Sequence, residues 1–167
     1  MTHIYYGDGK GKTSAAIGLG IRACGRNLKV VMAQFLKSDN SGEIKALKSI
    51  VDFTVLDSPK ELSFYFKMSD IQKTEYNDFA LNLFNNAINF DSDIIIFDEL
   101  LDAVELDIIP LDYVVTFLKE KSLEKEIVIT GHSVIDEIFS CADYITEMKK
   151  IKHPYDKGCS ARRGIEY

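Results

Sequence analysis

Residues 2–17 read THIYYGDGKGKTSAAI and decide the fold of this 167-residue chain. The first five of them, rich in β-branched and aromatic side chains, predict a buried strand. Glycines at alternate positions then predict a tight loop, and the small and apolar residues from Thr13 onward predict a helix that ends at Gly25. We expect Gly25 to adopt the left-handed conformation that closes many helices. The stretch therefore predicts a strand, a glycine-rich loop and a helix in direct succession.

The loop follows the phosphate-binding pattern G-x-x-x-x-G-K-[ST], with Tyr6 in place of the first glycine. Its glycines let backbone N–H groups turn toward phosphate oxygens, and the helix N-terminus adds partial positive charge. We expect Lys12 to reach the outer phosphates and the Thr13 hydroxyl to meet Mg²⁺. Lys10 either reaches a phosphate or only solvates the loop, and the alternative for the whole loop is a turn that binds nothing. The residues predicted to bind ATP are Gly7, Asp8, Gly9, Lys10, Gly11, Lys12, Thr13 and Ser14.

A continuously apolar run, Ile94-Ile95-Ile96-Phe97, is followed by the acidic pair Asp98-Glu99. Such a run predicts a strand buried on both faces, and in open parallel sheets ligands bind beyond the carboxyl ends of the strands. We therefore interpret the pair as a Walker B motif whose carboxylates hold Mg²⁺ directly or through water, together with Thr13. The alternative is that Asp98 only caps a following helix.

Strands and helices are predicted to alternate through the rest of the chain. The clearest helix runs from Ser69 to Phe90, because Ser69 and Gln72 form a capping box ahead of a single apolar stripe. The other predicted strands are 30–35, 53–56, 126–130 and 144–148, and the other predicted helices begin at Glu43, Pro110 and Ser133. This order predicts an α/β fold: a three-layer P-loop NTPase-type domain with a mainly parallel central sheet, formed by residues 1–167 as a single domain.

Composition and charge argue against several classes of protein. A hydrophobic content of 46% with 28% charged residues is typical of a globular domain, and a net charge of −6 argues against nucleic acid as a partner. Cys24, Cys141 and Cys159 are far apart and lack CxxC spacing, which argues against a disulfide framework or a zinc site and for a reducing, cytoplasmic location. No apolar run is long enough for a signal peptide or a membrane span, so we expect no membrane partner.

Nine segments, taken together and in order, resemble the P-loop corrinoid adenosyltransferases, also called cob(I)yrinic acid a,c-diamide adenosyltransferases. The phosphate loop alone is generic, whereas three segments together are specific to that family: Thr130-Gly131, Lys152-His153-Pro154 and Gly164-Ile165-Glu166-Tyr167. The matching segments are 7–13, 34–37, 42–43, 97–100, 109–111, 128–131, 142–143, 152–158 and 164–167. The resemblance implies transfer of the 5′-deoxyadenosyl group of ATP to the Co(I) of a reduced corrinoid, cob(I)alamin or cobyrinic acid diamide, with release of triphosphate.

The resemblance also implies roles for individual residues. Because Co(I) itself attacks the ribose C5′ carbon, no side chain acts as the nucleophile, and ATP is held in the reverse sense to that in kinases. The catalytic residues implied are Lys12, Thr13 and Glu99, with Asp98 supporting the metal. The corrinoid side is assigned to Gln34, Phe64, Tyr65, Phe66, His132 and His153, with the three loop aromatics either walling the corrinoid or packing onto the core. The loop around residues 34–43 is implied to line the nucleotide or corrinoid side. A homodimer and a reductase that supplies electrons are implied as partners.

The sequence departs from the family where cations are usual. His132 stands where arginine commonly follows Thr-Gly, and Ile44 stands where Gly-Glu-Arg is common. Many members carry a segment before the first strand, whereas Met1 directly precedes it here, which predicts a weaker hold on the corrinoid. The alternative functions are a small-molecule kinase and a non-enzymatic ATP-binding switch. Kinases usually need several arginines around the transferred phosphoryl group, and this chain has four, two of them at 162–163, which disfavours a kinase.

Overall fold

The computed structural model describes residues 1–38 and 41–165. Its strands are β1 Thr2–Tyr6, β2 Val30–Gln34, β3 Phe53–Val55, β4 Ile94–Asp98, β5 Glu126–Gly131 and β6 Tyr144–Glu147. Its helices are α1 Lys12–Cys24, α2 Gly42–Leu47, α3 Asp70–Ile88, α4 Leu100–Glu105, α5 Leu111–Lys121 and α6 Asp136–Phe139, with 3-10 turns at Tyr65–Lys67 and Pro154–Lys157. The strands form one sheet in the order β3-β2-β4-β5-β1-β6, and every pair is parallel. The predicted α/β fold with a parallel sheet is confirmed.

Helices cover both faces of this sheet, so its central strands have no solvent-facing side. Every residue of β2 and β4 is buried. Because successive side chains alternate in direction along a strand, Val31 and Ala33 join the core under α3, α4 and α5, whereas Val30 and Met32 join the core under α1 and α2. Two cores on opposite faces account for the continuous apolar runs in the sequence.

Helix α1 packs closely on the sheet because small residues line its inner face. A Cβ atom added to Gly20 would lie 2.6 Å from the Phe53 ring, so glycine is required for this approach. The predicted left-handed Gly25 is wrong, since its φ is −63° and its N–H still bonds to the Ile21 carbonyl. The chain reverses two residues later, at Asn27, whose φ is 61°.

Three features of the helices differ from the expectations. Helix α4 was expected only in the alternative in which Asp98 caps a following helix. It begins directly after Glu99, which is its N-cap in place of Asp98 and takes the left-handed conformation, with φ 60°. The helix predicted from Ser133 is shorter and begins at Asp136, and Pro110 is the N-cap of α5 and not its first helical residue. The capping box of α3 is confirmed, with Ser69 and Gln72 bonding to each other's backbone N–H groups.

The topology brings the predicted functional residues to one edge of the sheet. The carboxyl ends of β1, β2, β4 and β5 carry the phosphate loop, Gln34, Asp98 and Thr130 respectively. Because β5 lies between β1 and β4, its last residues lie between the carboxyl ends of those two strands. Among residues 1–38 and 41–165, the structure contains no helix with the length and apolar character needed to cross a bilayer.

Candidate functional site

The loop after β1 wraps around the side chain of its own lysine. Gly7 and Gly11 have φ of 109° and 113°, a region that side chains other than glycine rarely adopt. The Lys12 ammonium donates to the Gly7 carbonyl at 2.7 Å and to the Gly9 carbonyl at 3.0 Å. Burial lowers the pKa of Lys12, although the carboxylates of Asp102 and Glu99 partly offset this effect. Lys12 therefore lies on the loop, at the N-terminus of α1, as the motif predicts.

The segment that follows β6 braces the same loop from outside. The Gly9 N–H donates to the Met148 carbonyl at 2.6 Å, and the Lys150 N–H donates to the Asp8 carboxylate at 2.9 Å. That backbone hydrogen bond from Lys150 lowers the pKa of Asp8. A Cβ atom at Gly9 would lie 2.5 Å from the Met148 carbonyl oxygen. The expectation that the Gly9 amide turns toward phosphate is therefore not met, because that amide holds the tail.

The fully buried Asp98 is the centre of a hydrogen-bond network. Its carboxylate accepts from the Thr130 hydroxyl at 2.7 Å, the Thr13 hydroxyl at 2.8 Å and the Gln34 amide at 3.2 Å. The Lys37 ammonium lies 2.7 Å from the same carboxylate. Burial would raise the pKa of Asp98, yet the Lys37 charge and these hydrogen bonds hold it below its usual value. Asp98 is thus ionised and committed to partners within the protein.

The Glu99 side chain borders a cavity that lies over the phosphate loop, whereas the Asp98 side chain does not. Its side chain is 24% exposed, whereas that of Asp98 is 0% exposed. The left-handed backbone at Glu99 directs its N–H to the Thr130 hydroxyl oxygen at 2.9 Å. Burial raises the pKa of Glu99, opposed by the nearby Lys37 charge. Of the two acidic residues, Glu99 is therefore the one whose carboxylate borders the cavity.

Lys37 lies among the three side chains that the sequence predicts to hold Mg²⁺. Its ammonium is 3.0 Å from the Thr13 hydroxyl, 2.7 Å from Asp98 and 3.1 Å from Glu99. Burial would lower the pKa of Lys37, but the two carboxylates raise it to about 12. Lys37 belongs to the matching segment 34–37, but no role of its own was assigned to it, because a lysine after a strand is usually a solvated surface residue.

These oxygen donors fit a magnesium ion that takes only a few ligands from the protein. Thr13, Asp98 and Glu99 offer one hydroxyl and two carboxylates around a point already occupied by a cation, the Lys37 ammonium. Within the part of the chain that the structure describes, there is no cluster of three or more His, Cys, Asp or Glu side chains suited to a metal. Mg²⁺ commonly keeps several waters and binds one or two carboxylates plus substrate phosphates, so it does not require such a cluster.

A cavity of about 710 Å³, the phosphate cavity, lies over the phosphate loop. Its wall includes residues 8–14 of the loop and first turn, Lys37, Glu99, His132, His153 and the tail at 164–165. The tail is held there by the Lys10 ammonium, which donates to the Ile165 carbonyl at 3.1 Å. The cavity therefore combines lysines with backbone amides at a helix N-terminus, the chemistry that suits a polyphosphate.

The two histidines of this wall have separate partners. His132 lies with its Nδ1 atom 3.3 Å from the Asp102 carboxylate, and its N–H donates to the same group at 3.0 Å. The hydrogen bond to Asp102 raises the pKa of His132. The His153 Nδ1 atom accepts from the Tyr155 N–H at 3.1 Å and caps the 3-10 turn of the tail. Both histidines were predicted on the corrinoid side, and the structure places them in the wall of the phosphate cavity instead.

A second cavity of about 560 Å³, the apolar cavity, adjoins the first. Its apolar wall is formed by Leu36, Leu62, Phe64, Tyr65, Phe66 and Leu106. Lys37, Glu43 and Glu99 belong to the walls of both cavities and form the junction between them. A ligand that fills the phosphate cavity would therefore meet, at this junction, a ligand that enters the apolar one.

The sequence left two roles open for the three loop aromatics, contact with the corrinoid or packing onto the core, and the rings differ in position. Phe64 and Phe66 are 68% and 74% exposed and stack on each other with ring centroids 5.5 Å apart. Tyr65 packs against Tyr76, and its hydroxyl donates to the Asn77 side chain at 3.1 Å. Two aromatic faces are thus available at the apolar cavity, while the middle ring is anchored to α3.

Other sequence expectations are altered by burial. Gln34, predicted to face the corrinoid, is 1% exposed, bonds to Asp98 and lines neither cavity. Ile44, which stands where the family commonly has an arginine, packs in the core beneath α2. The predicted loop around residues 34–43 does contribute Lys37, Gly42 and Glu43 to the phosphate cavity. Residues 39–40 of that loop and residues 166–167 of the tail motif lie outside the described residues.

Sequence reasoning missed Lys37, Thr130 and Asp102. Thr130 could have been found from the sequence. It lies near the end of β5, beside β4, which ends at Asp98, so its hydroxyl is expected to contact the Asp98 carboxylate. Asp102 lies one helical turn after Glu99, but the sequence predicted that helix only as the alternative for Asp98. No local pattern indicated that the Lys37 side chain turns toward Asp98, because that turn depends on the hydrogen bond between Leu36 and Tyr76, far along the chain.

Comparison with known proteins gives one consistent result. The family described as ATP:corrinoid adenosyltransferase BtuR/CobO/CobP matches residues 1–167. The chain is 32% identical over 168 residues to the corrinoid adenosyltransferase of Escherichia coli strain K12, covering 98% of this chain and 84% of that protein. It is 30% identical over 168 residues to corrinoid adenosyltransferase CobA of Salmonella typhimurium strain LT2, with the same two coverages. The corrinoid adenosyltransferase of Pseudomonas aeruginosa is 28% identical over 169 residues, covering 98% and 82%.

Proposed function

The chain belongs to the ATP:corrinoid adenosyltransferase family, and we propose that the phosphate cavity and the apolar cavity hold its two substrates. The enzyme transfers the adenosyl group of ATP to a reduced corrinoid. The cobalt(I) electron pair forms the Co–C5′ bond, the C5′–O bond breaks, and its electron pair leaves with the triphosphate. This balance needs no protein nucleophile and no general base, so the protein's contribution is positioning and charge.

For the triphosphate, we propose Gly7 to Ser14 as the binding segment, with Lys12 as the principal cation. The support is the helix N-terminus at Lys12 and the position of its ammonium on the loop carbonyls, from which it needs only to rotate toward a phosphate oxygen. The amide of Gly9 and the carboxylate of Asp8 act on the tail in this proposal, because both are bonded there. Lys10 and His132 border the same cavity and add charge at its rim.

For the metal, we propose that Mg²⁺ is held by Thr13 and Glu99, with Asp98 orienting Thr13. Asp98 is buried and accepts the Thr13 hydroxyl hydrogen at 2.8 Å, which leaves the oxygen lone pairs of Thr13 for a cation. Glu99 is the acidic side chain that borders the cavity. A bound magnesium ion would neutralise part of the negative charge on the triphosphate.

For the corrinoid, we propose the apolar cavity with Phe64 and Phe66 as its contact surface. A corrin macrocycle is larger than this cavity, so one face or edge would enter while the rest stays outside. Large apolar side chains at 68% and 74% exposure are costly in water and suit the flat, apolar face of a macrocycle. The homodimer, the electron-supplying reductase, the cytoplasmic location and the assignment of residues 1–167 to a single domain stay predictions.

One observation carries the proposal: Lys37, Glu43 and Glu99 border both cavities. The test is an anaerobic assay with ATP, Mg²⁺ and chemically reduced cobalamin, in which the Co–C product is followed by absorbance and triphosphate is quantified. Phe64→Ala and Phe66→Ala should each raise the KM for the corrinoid on the order of tenfold, with little change in the KM for ATP. Leu123→Ala is the control, because Leu123 is 94% exposed and belongs to neither cavity wall.

The opposite pattern would contradict the assignment of the cavities. If the phenylalanine variants raised the KM for ATP and left that for the corrinoid unchanged, the apolar cavity would belong to the nucleotide. Release of ADP and phosphate without any dependence on corrinoid would instead support the kinase or switch alternative for this chain.

A further inference from the structure

The Lys37 ammonium occupies the point on which the proposed metal ligands converge. It lies 3.0 Å from Thr13 Oγ1, 2.7 Å from Asp98 Oδ2 and 3.1 Å from Glu99 Oε1. Thr13 and Glu99 are the side chains to which the proposed function assigns Mg²⁺, Asp98 is the one that orients Thr13, and the present inference rests on that assignment. A divalent ion and an ammonium group cannot both sit against the same three oxygens, because like charges repel strongly at such distances.

The backbone directs Lys37 to this point. Leu36 has a φ of 57°, a conformation that is unfavourable for leucine, and its N–H donates to the Tyr76 hydroxyl at 2.6 Å. Tyr76 is 6% exposed and belongs to the core under α3. The chain therefore turns sharply after β2 and returns the Lys37 side chain over Asp98, where 26% of its surface stays exposed. Such a turn is tolerated only where surrounding contacts enforce it.

We propose that Lys37 occupies the magnesium position of the nucleotide-free enzyme, and that Mg·ATP displaces its ammonium onto the triphosphate. The four-carbon stem of lysine allows such a movement without any change in the backbone. Lys37 already borders the phosphate cavity, so phosphate oxygens are the nearest new partners for its charge. The exchange keeps Asp98 and Glu99 paired with a cation in both states, which avoids an uncompensated buried charge.

The exchange predicts a specific order of binding. Without nucleotide, a divalent ion must displace a paired ammonium that has no phosphate to move to, so the metal binds weakly. With ATP present, the phosphates supply ligands to the metal and a partner to Lys37, so metal and nucleotide bind together. After the exchange, Lys37 lies at the junction of the two cavities, next to the oxygen on which negative charge develops.

The first test measures Mn²⁺ binding to the nucleotide-free enzyme by electron paramagnetic resonance. Lys37→Met removes the resident cation and keeps the length of the side chain, and it should raise the Mn²⁺ affinity about tenfold or more. Mn²⁺ should also raise the melting temperature of Lys37→Met and leave that of the wild type unchanged. Lys121→Met is the matched control, since Lys121, the last residue of α5, pairs with Glu124, and the variant should bind Mn²⁺ as the wild type does. Equal Mn²⁺ affinities for Lys37→Met and the wild type would overturn the inference.

A second test uses the wild-type protein, in case Lys37→Met does not fold. A buried ammonium with three oxygen partners should give a protected ¹⁵Nζ signal, which Lys37→Arg assigns by its disappearance. The signal should persist with ATP and EDTA and shift when Mg²⁺ is added. If it stays unchanged with Mg·ATP bound, Lys37 does not move and the inference fails. Calorimetry on the same samples reports ATP binding, so a failure of the proposed function, with no ATP bound, is distinguishable.

Discussion

Replacing Thr130 with valine tests whether this residue positions both carboxylates of the site. The Thr130 hydroxyl donates to Asp98 at 2.7 Å and accepts the Glu99 N–H at 2.9 Å. Valine keeps the shape and removes both bonds. A lost hydrogen bond to a charged group costs about 1.5–3 kcal/mol, and an unsatisfied buried N–H costs about 1–3 kcal/mol. With some gain from the added methyl group, we expect a loss of roughly 2–5 kcal/mol in the free energy of unfolding.

The assay is thermal unfolding followed by circular dichroism, with adenosyl transfer measured on the same preparations. A loss of this size lowers the melting temperature by about 5–15 °C for a domain of this length. Thr130→Ser is the control, because it keeps both hydrogen bonds and loses one methyl group, at about 1 kcal/mol. Transfer by Thr130→Val should fall through kcat, since Glu99 is no longer held, while Thr130→Ser stays near the wild type. If valine and serine variants were equally stable and equally active, the hydroxyl would have no such role.

Three further predictions follow from the cavity wall. The hydrogen bond to Asp102 raises the pKa of His132. His132 therefore carries its full positive charge below its ordinary pKa of about 6.5 and loses that charge as the pH rises through the raised value. The KM for ATP should rise over that window, and His132→Gln should flatten this dependence in steady-state assays at several pH values. Lys12→Ala should reduce transfer by about 10²–10³-fold or more while the melting temperature changes little; near-normal turnover would contradict the placement of the triphosphate. Gly9→Ala should lower the melting temperature and weaken ATP binding in calorimetry, because its Cβ would lie 2.5 Å from a backbone carbonyl oxygen of the tail. Gly18→Ala is its control, since that Cβ meets nothing within 4 Å in a helix interior where alanine is favoured.

The sequence predicted the fold well where local signals decide the structure. The strand before the phosphate loop ends at Tyr6 as expected, and the capping box at Ser69 begins α3. Both signals lie within a few residues, so no distant contact is needed to interpret them. By contrast, α4 depends on a left-handed Glu99, which pattern and composition do not indicate.

The site was predicted only as far as its motifs reach. The loop and the acidic pair were found because their spacing along the chain reflects their chemistry. Lys37 was missed because Tyr76, forty residues after Leu36, fixes the turn that directs it. The Gly9 amide was assigned to phosphate because the motif does not include Met148, which approaches from the end of the last strand. In each case the missing information is a contact between residues distant in sequence.

The proposed contents of the two cavities fix the position of the reacting bond. In that arrangement the C5′ atom is bonded to the triphosphate on one side and is attacked by cobalt from the other, so the C5′–O bond lies at the junction. That junction carries one cation, Lys37, and two acidic residues, Glu43 and Glu99. Uncompensated carboxylates there would oppose the negative charge that grows on the departing oxygen. Rapid transfer therefore requires a second cation to pair with Glu99 while Lys37 turns to the triphosphate, because one lysine cannot pair with both at the same time.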